Sequence, residues 1–121
     1  MLLKEFIKGG LKHGLRLIRE PAYREWCCLV GRYSRFPRHQ ELELVAGGMS
    51  LRVPDAASFL SSWHEIFLED IYRFQCRERE PVIIDFGANI GLSVIFLKRL
   101  FPDAKLFAYE ADPYIFRFLE E

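Results

Sequence analysis

The amino-acid sequence predicts an α/β protein that begins with helices and a β-hairpin and ends in one β-α-β unit. Its first strand is predicted at residues 82–84, a β-branched run after a proline that is typical of a buried parallel strand. Residues 92–101 are apolar on most sides, which favours a helix packed against a sheet. Residues 105–109 alternate in the manner of a second strand.

The connections within this unit carry residues suited to special backbone conformations. Asp85 follows the first strand, and residues 87–91, with the sequence GANIG, predict a turn into the helix. Glycine lets the backbone turn sharply and approach a ligand that a Cβ would push away. The helix is predicted to stop at Pro102, and Asp112 followed by Pro113 is typical of the start of another helix.

Residues 1–18 are basic and weakly amphipathic, which predicts a helix. Each interior glycine weakens such a helix by about 1 kcal/mol. We favour a loosely packed accessory helix, and the alternative is weak contact of this basic N-terminus with a membrane surface. The apolar residues of one face are Leu3, Ile7, Leu11 and Ile18, and the glycines are Gly9, Gly10 and Gly14.

A second helix is predicted to begin at Pro21, because proline suits the first position of a helix. Its aromatic stripe is more typical of a core than of a platform for stacking bases, so we expect no nucleic-acid partner. Residues 32–38 are basic, include a proline and predict a loop. The stripe consists of Tyr23, Trp26, Val30 and Tyr33 or Ser34.

A β-hairpin is predicted over residues 40–53, where apolar and polar residues alternate on both sides of a Gly-Gly pair. Asp55 is suited to cap a helix over residues 56–61. A further helical turn is predicted around residues 65–68. These elements lead into the β-α-β unit.

The chain has no net charge, but its charges are unevenly distributed. Residues 1–39 carry nine Lys or Arg against three acids, whereas the remainder carries eight against fourteen. Such asymmetry can indicate contact with an anionic surface, although we favour docking on the acidic remainder or simple solvation. The predicted organisation is a basic helical region at 1–39, a hairpin and helical segment at 40–80, and the start of a cofactor-binding domain at 81–121.

The cysteines and histidines of this sequence are not spaced like the ligands of a metal site or the partners of a disulfide framework. The cysteines predict neither a disulfide framework nor a metal site, so a reducing, cytoplasmic location is expected. The histidines have no spacing typical of a metal site or a catalytic dyad. No signal peptide is predicted, and no stretch approaches the ~20 apolar residues of a membrane span. These residues are Cys27, Cys28, Cys76, His13, His39 and His64.

Two carboxylates are candidates for ligand binding. Asp85 and Glu110 follow adjacent parallel strands, so we expect them at the edge where open α/β sheets bind ligands. A carboxylate after the second strand suits the two hydroxyls of a ribose, at roughly 1.5–3 kcal/mol per charge-assisted hydrogen bond. Its distance from Gly87 is close to the ~20 residues of a nucleotide-binding β-α-β unit. Tyr72 and Phe74 lie just before this unit, and core packing is favoured for both over a place beside the ligand.

The turn differs from two common phosphate-binding loops. A dinucleotide fingerprint requires G-x-G-x-x-G, whereas this turn is G-x-x-x-G with Ala88 and Asn89 in the middle. No G-K-[ST] sequence follows, which excludes a P-loop. An acid before the turn and an amide within it suit a zwitterionic amino-acid tail and a sulfonium better than two phosphates. The residues therefore favour S-adenosylmethionine over NAD, and an NAD-binding Rossmann fragment is the less favoured alternative.

The sequence IIDFGANIGLS followed by FAYEADP resembles the opening motifs of FkbM-type S-adenosylmethionine-dependent methyltransferases, class I enzymes with a Rossmann-like sheet. SFLSSWHEIFLEDIYRF is similar to the segment that precedes those motifs, so the resemblance covers about half of the chain. It implies an incomplete Rossmann-like methyltransferase sheet, the N-terminal portion only, because the family's later strands and substrate loops have no counterpart here. The residues implied to line the methionine side of the cofactor are Asp85, Gly87, Asn89 and Gly91, with Glu110 holding its ribose hydroxyls.

The resemblance also implies a function. It is O-methylation of a hydroxyl on a sugar, polyketide or similar small-molecule acceptor, with no general base assigned and catalysis requiring further sequence. The alternative from another class is a non-catalytic α/β interaction module completed by dimerisation. That alternative arises because the first strand is expected to pair on one side only, and an open apolar edge favours pairing with another chain.

Overall fold

The computed structural model describes residues 2–121, with side chains from residue 9 onward, so the predicted positions of Leu3 and Ile7 on an apolar face lie outside the described side chains. The helices are α1 (Leu2–Arg19), α2 (Pro21–Tyr33), α3 (Ala56–Trp63), α4 (Leu92–Leu100) and α5 (Pro113–Glu120). The strands are β1 (Leu42–Ala46), β2 (Met49–Val53), β3 (Val82–Phe86) and β4 (Lys105–Tyr109). Within the described range, no helix is both long and apolar enough to cross a membrane.

Strands β3 and β4 pair in parallel and are joined through α4, so the predicted β-α-β unit is confirmed. The register sets Val82 opposite Lys105 and Phe86 opposite Tyr109. Strand β3 continues one residue past Asp85, the predicted end. The chain is therefore an α/β protein whose sheet is compatible with part of a Rossmann-like fold.

Strands β1 and β2 form the predicted antiparallel hairpin. Both turn glycines have a positive φ, 57° at Gly47 and 76° at Gly48, as hairpins with two-residue turns require. Arg99 of α4 donates a hydrogen bond to the Gly47 carbonyl oxygen at 2.8 Å, and the Gly47 amide donates to Glu25 of α2. The turn therefore attaches the hairpin to two helices.

One hydrophobic core contains residues from each of the three predicted regions, 1–39, 40–80 and 81–121. Trp63 is its largest fully buried side chain, and its ring stacks on that of Phe67 with centroids 4.2 Å apart. Phe67 in turn meets Phe96 of α4 edge to face at 5.7 Å. The other buried members are Leu29, Leu44, Ala46, Val53, Phe59, Leu60, Ile66, Leu92 and Leu97.

Helix α3 begins at the predicted cap, Asp55, and runs to Trp63, two residues beyond the predicted end. A π-helical turn, His64–Leu68, continues it where a separate helical turn was expected. The Asp55 carboxylate accepts hydrogen bonds from the backbone N–H of Ser58 at 2.9 Å and of His39 at 2.7 Å. The Ser58 hydroxyl and the Arg38 guanidinium also donate to it.

The two faces of the β3–β4 sheet have different surroundings. Ile83 and Leu106 pack against the core. The opposite face is open: Val82, Ile84 and Phe86 are 65%, 56% and 79% exposed. The predicted burial of the first strand is therefore wrong for every second residue, because no described element covers that face.

Replacing Asp55 with alanine is expected to lower the free energy of unfolding by about 2 kcal/mol, because the helix cap and a buried hydrogen-bond acceptor are both lost. Urea denaturation followed by tryptophan fluorescence measures the loss. Asp112→Ala is the matched control, since Asp112 is exposed and caps α5 through backbone N–H groups alone. Its expected cost is about 1 kcal/mol. Equal losses in the two variants would contradict the additional role of Asp55 as a buried hydrogen-bond acceptor.

The same carboxylate predicts a pH dependence. Burial raises the pKa of Asp55, but hydrogen bonds from His39, Ser58 and Arg38 outweigh this effect and hold the pKa well below its usual range. The unfolded chain therefore takes up the proton first, and the stabilisation, complete above about pH 4, is lost as the pH falls further. Asp55→Asn is expected to remove this stabilisation at neutral pH. Urea denaturation at a series of pH values should show that the free energy of unfolding of this variant falls less steeply in acid than that of the wild type.

Candidate functional site

The turn between β3 and α4 depends on backbone conformations that are unusual for residues with a side chain. The φ angles of Gly87, Asn89 and Gly91 are 82°, 51° and 87°. The N–H groups of Gly87 and Ala88 both donate to the Tyr109 carbonyl oxygen, at 2.8 and 2.9 Å. The turn is therefore tied to the end of β4, and a Cβ built on Gly87 would have no atom within 4 Å. That open side is accessible to a ligand.

Glu110 lies beside this turn, as the sequence predicts. Its Oε2 accepts a hydrogen bond from the Asn89 amide at 2.9 Å, and its Oε1 accepts one from the Asp112 amide at 2.9 Å. The two bonds orient the carboxylate and leave further lone pairs on both oxygens, because a carboxylate can accept about four hydrogen bonds. Glu110 is thus held in place and still able to accept from a ligand.

Asp85 lies at the same edge, but its side chain is on the α4 side of the sheet, opposite the exposed face. Its Oδ2 accepts a hydrogen bond from the Ser93 hydroxyl at 2.5 Å. Ser93 is in the first turn of α4, and Gly91, the residue before that helix, provides no side-chain cap. The half-buried Asp85 carboxylate therefore places a negative charge near the positive end of the α4 dipole.

A cavity of about 120 Å³ separates the turn from α3 and the π-helical turn. Gly87 and Asn89 line it, whereas Asp85, Gly91 and Glu110 do not. Glu65 is the one charged side chain among the described lining residues, so this wall is acidic. The other lining residues are Ser62, Ile66, Ile71, Tyr72, Ala88, Ile90, Leu92 and Ser93.

Two of these residues were not assigned to a site by sequence reasoning. No sequence pattern indicates a site role for Glu65, and Tyr72, predicted to pack in the core, is 44% exposed and lines the cavity. Phe74 was also predicted to pack in the core; its ring contacts that of Phe101, with centroids 4.8 Å apart, but it is 43% exposed and lies outside the core. The π-helical turn and Asp70, whose φ is 54°, adjoin these residues along the chain. Such backbone features are frequent at functional sites, but no sequence pattern indicates them.

A larger cavity of about 390 Å³ lies between the hairpin and α5. Arg52 lines it, but its guanidinium pairs with Glu41 at 2.6 Å and with Glu121 at 2.7 Å. The cation is therefore neutralised by the chain itself. No group of three or more His, Cys, Asp or Glu able to hold a metal ion occurs within the described residues.

The glycine turn, Asp85 and Glu110 lie together at the carboxyl edge of the parallel pair of an α/β protein. A methyltransferase named sdnD, from Sordaria araneosa, is 41% identical to this chain over 51 residues, which are 42% of the chain and 20% of that protein. The chain thus matches about a fifth of the length of this relative. This similarity supports the resemblance to methyltransferases, and the FkbM type stays a prediction. No family model matches the chain, and no solved structure does.

The two glycines of the turn are expected to respond differently to alanine. Gly87→Ala adds only the strain of a positive φ, about 1–2 kcal/mol. Gly91→Ala adds the same strain and also a Cβ that would lie 3.0 Å from Leu119 Cδ1. This crowding is expected to lower the free energy of unfolding by about a further 1 kcal/mol. Urea denaturation measures both. Gly48→Ala, with φ 76° and open space around the site, is the control and should match Gly87→Ala. A Gly91 variant as stable as the other two would contradict this crowding.

Proposed function

We propose that this chain is a cofactor-binding part of an S-adenosylmethionine-dependent methyltransferase. The observation that carries the proposal is the hydrogen bond between the Glu110 carboxylate and the Asn89 amide. It brings an anchored acid beside an open glycine turn at the carboxyl end of two parallel strands, where open α/β sheets bind ligands. The partial similarity to a methyltransferase supports the same conclusion.

The charges of the site fit this cofactor better than a dinucleotide. Glu65 lines the cavity, and Asp85 and Glu110 flank the turn. Three carboxylates attract a sulfonium and an ammonium group, and they repel a pyrophosphate. Asn89 occupies the place of the second glycine of a dinucleotide fingerprint, so a side chain is present where the pyrophosphate requires bare backbone.

Each residue has a proposed role. Glu110 accepts hydrogen bonds from the two ribose hydroxyls through its remaining lone pairs. Gly87 and Asn89 contact the methionine end, where Glu65 faces the positive charges. Asp85 and Gly91 act indirectly by fixing the start of α4. The cavity of about 120 Å³ is smaller than the ~300–1,000 Å³ of a ligand pocket, so it would hold only part of the cofactor.

When bound, the cofactor supplies a methyl group on a sulfonium, and in-line displacement releases a neutral thioether. The residues of this chain contribute by orientation, because no acid is required to assist the leaving group. Orientation can supply roughly 7–11 kcal/mol of the barrier reduction in favourable cases. We propose a hydroxyl group on a sugar, polyketide or similar small molecule as the acceptor. Such a reaction needs a general base within hydrogen-bond reach of that hydroxyl.

Isothermal titration calorimetry tests the cofactor assignment. We expect the chain to bind S-adenosylmethionine and S-adenosylhomocysteine, and Glu110→Gln to weaken both about 10- to 100-fold, since each lost charge-assisted hydrogen bond costs roughly 1.5–3 kcal/mol. Glutamine keeps an oxygen that can accept from the Asn89 amide, whereas its amide nitrogen cannot accept from the Asp112 amide, so circular dichroism verifies that the variant keeps its fold.

Glu120→Gln is the matched control because Glu120 is an exposed acid at the end of α5, and its affinity should equal that of the wild type. No binding by folded protein would refute the cofactor proposal. Tighter binding of NADH than of S-adenosylhomocysteine would establish the NAD alternative.

The exposed face of the β3–β4 sheet favours a second candidate function, an interaction module that self-associates. Phe86 stacks on Tyr109 at 5.2 Å, and both rings are more than half exposed. With Ile84 and Phe107, they form a contiguous apolar surface of the kind that marks contact sites. A second copy suits this surface because two identical apolar faces are complementary.

Sedimentation equilibrium tests self-association. We expect the wild-type chain to form dimers, and Phe86→Ser to weaken the association at least about tenfold, because a buried phenylalanine contributes about 1.5–3 kcal/mol. Val45→Ser, at a 60% exposed position on the hairpin, should associate like the wild type. A wild-type chain that stays monomeric at every concentration would exclude the dimer.

A further inference from the structure

Polar and cation–π contacts hold α1 against α2. The Arg16 guanidinium lies over the Tyr23 ring, 3.9 Å from its centroid, and the Tyr23 hydroxyl shares a hydrogen bond of 2.8 Å with His13 Nδ1. Arg24 donates to the carbonyl oxygens of Leu17 and Ile18, both at 3.1 Å. The face of α1 that contacts α2 therefore includes His13 and Arg16.

A different face of α1 carries an uncovered apolar stripe. Leu11, Leu15 and Ile18 are 64%, 41% and 75% exposed. Their spacing of four and three residues places them on one side of the helix. In the sequence the same spacing extends to Ile7 and Leu3, which precede the residues whose side chains the structure describes. Within the described part of the chain, the stripe has no apolar partner.

Charge indicates what covers this stripe. Lys12 and Arg19 are exposed and lie three residues before and four residues after Leu15, so they adjoin the stripe on the helix surface. Residues 1–39 carry nine Lys or Arg against three acids. An apolar stripe beside cations matches an anionic lipid surface, which offers phosphate groups above an apolar interior. An amphipathic helix with cations beside its apolar face lies in the plane of the membrane interface.

We propose that α1 binds the surface of an anionic lipid bilayer, with Leu11, Leu15 and Ile18 inserted among the headgroups and Lys12 and Arg19 contacting lipid phosphates. This surface is independent of the turn and of Glu110. Its effect would be to hold the site near a membrane.

Vesicle co-sedimentation of the full chain tests the proposal. Two preparations are compared: phosphatidylcholine alone and phosphatidylcholine with about 30% phosphatidylserine. We expect at least about tenfold tighter binding to the anionic vesicles, because each nearby cation contributes roughly a fivefold gain. Raising sodium chloride from about 0.05 to about 0.5 M should remove most of this preference.

Two sets of variants separate the apolar and the charged contributions. Leu11→Gln with Ile18→Gln should weaken binding to anionic vesicles at least about tenfold, because it removes two of the inserted side chains. Lys12→Gln with Arg19→Gln should lower the preference for anionic lipid at least about tenfold, because two nearby cations are lost. Val45→Gln, at an exposed apolar position on the hairpin, should bind like the wild type.

Circular dichroism of each variant verifies that the helices are retained. Equal binding to both vesicle types would overturn the proposal, and so would full binding by the Leu11 and Ile18 variant. Failure of the wild-type chain to bind either vesicle would also overturn it and would assign the stripe to a protein partner. Because no measurement in this test involves S-adenosylmethionine, its outcome is separate from that of the cofactor proposal.

Discussion

The attachment of one glycine turn to the end of β4 determines the geometry of the whole sheet edge. The Tyr109 carbonyl oxygen accepts from two consecutive amides of the turn, and the Glu110 carboxylate accepts from the Asn89 amide. These bonds satisfy backbone donors that would otherwise be unpaired at an irregular segment. They also fix where α4 begins, because Gly91 is the last residue before that helix. The candidate site is therefore built mainly from backbone groups, with one carboxylate oriented by them.

The two acids predicted to act together have different positions relative to the sheet. Glu110 is beside the turn, while Asp85 accepts from Ser93 on the α4 side. For this reason a direct ligand contact is proposed for Glu110 and an indirect role for Asp85. Glu65 adds a third carboxylate from the other wall of the cavity. This concentration of negative charge is the physical basis for preferring a cationic cofactor to a diphosphate.

Most elements were predictable because their signals are local. Asp55 and Asp112 cap helices through amides two or three residues away, and a cap of this kind depends on nearby sequence alone. The hairpin and the β-α-β unit follow from alternation and from glycine at the turns. The extension of α3 to Trp63 was not predictable, because it depends on the packing of that ring against Phe67 and the core. The exposure of Ile84 and Phe86 depends in the same way on which element covers a face.

The sequence by itself determined the α/β class, the parallel pair and the identity of the turn, because residue type limits backbone conformation within a few positions. It also indicated that Asp85 and Glu110 share an edge, since parallel strands end on the same side of a sheet. Only the tertiary structure decided that Glu65 and Tyr72 face the turn and that the apolar stripe of α1 is left uncovered. Those facts depend on how separate elements pack together, and such packing is a property of distant residues in contact rather than of any local pattern.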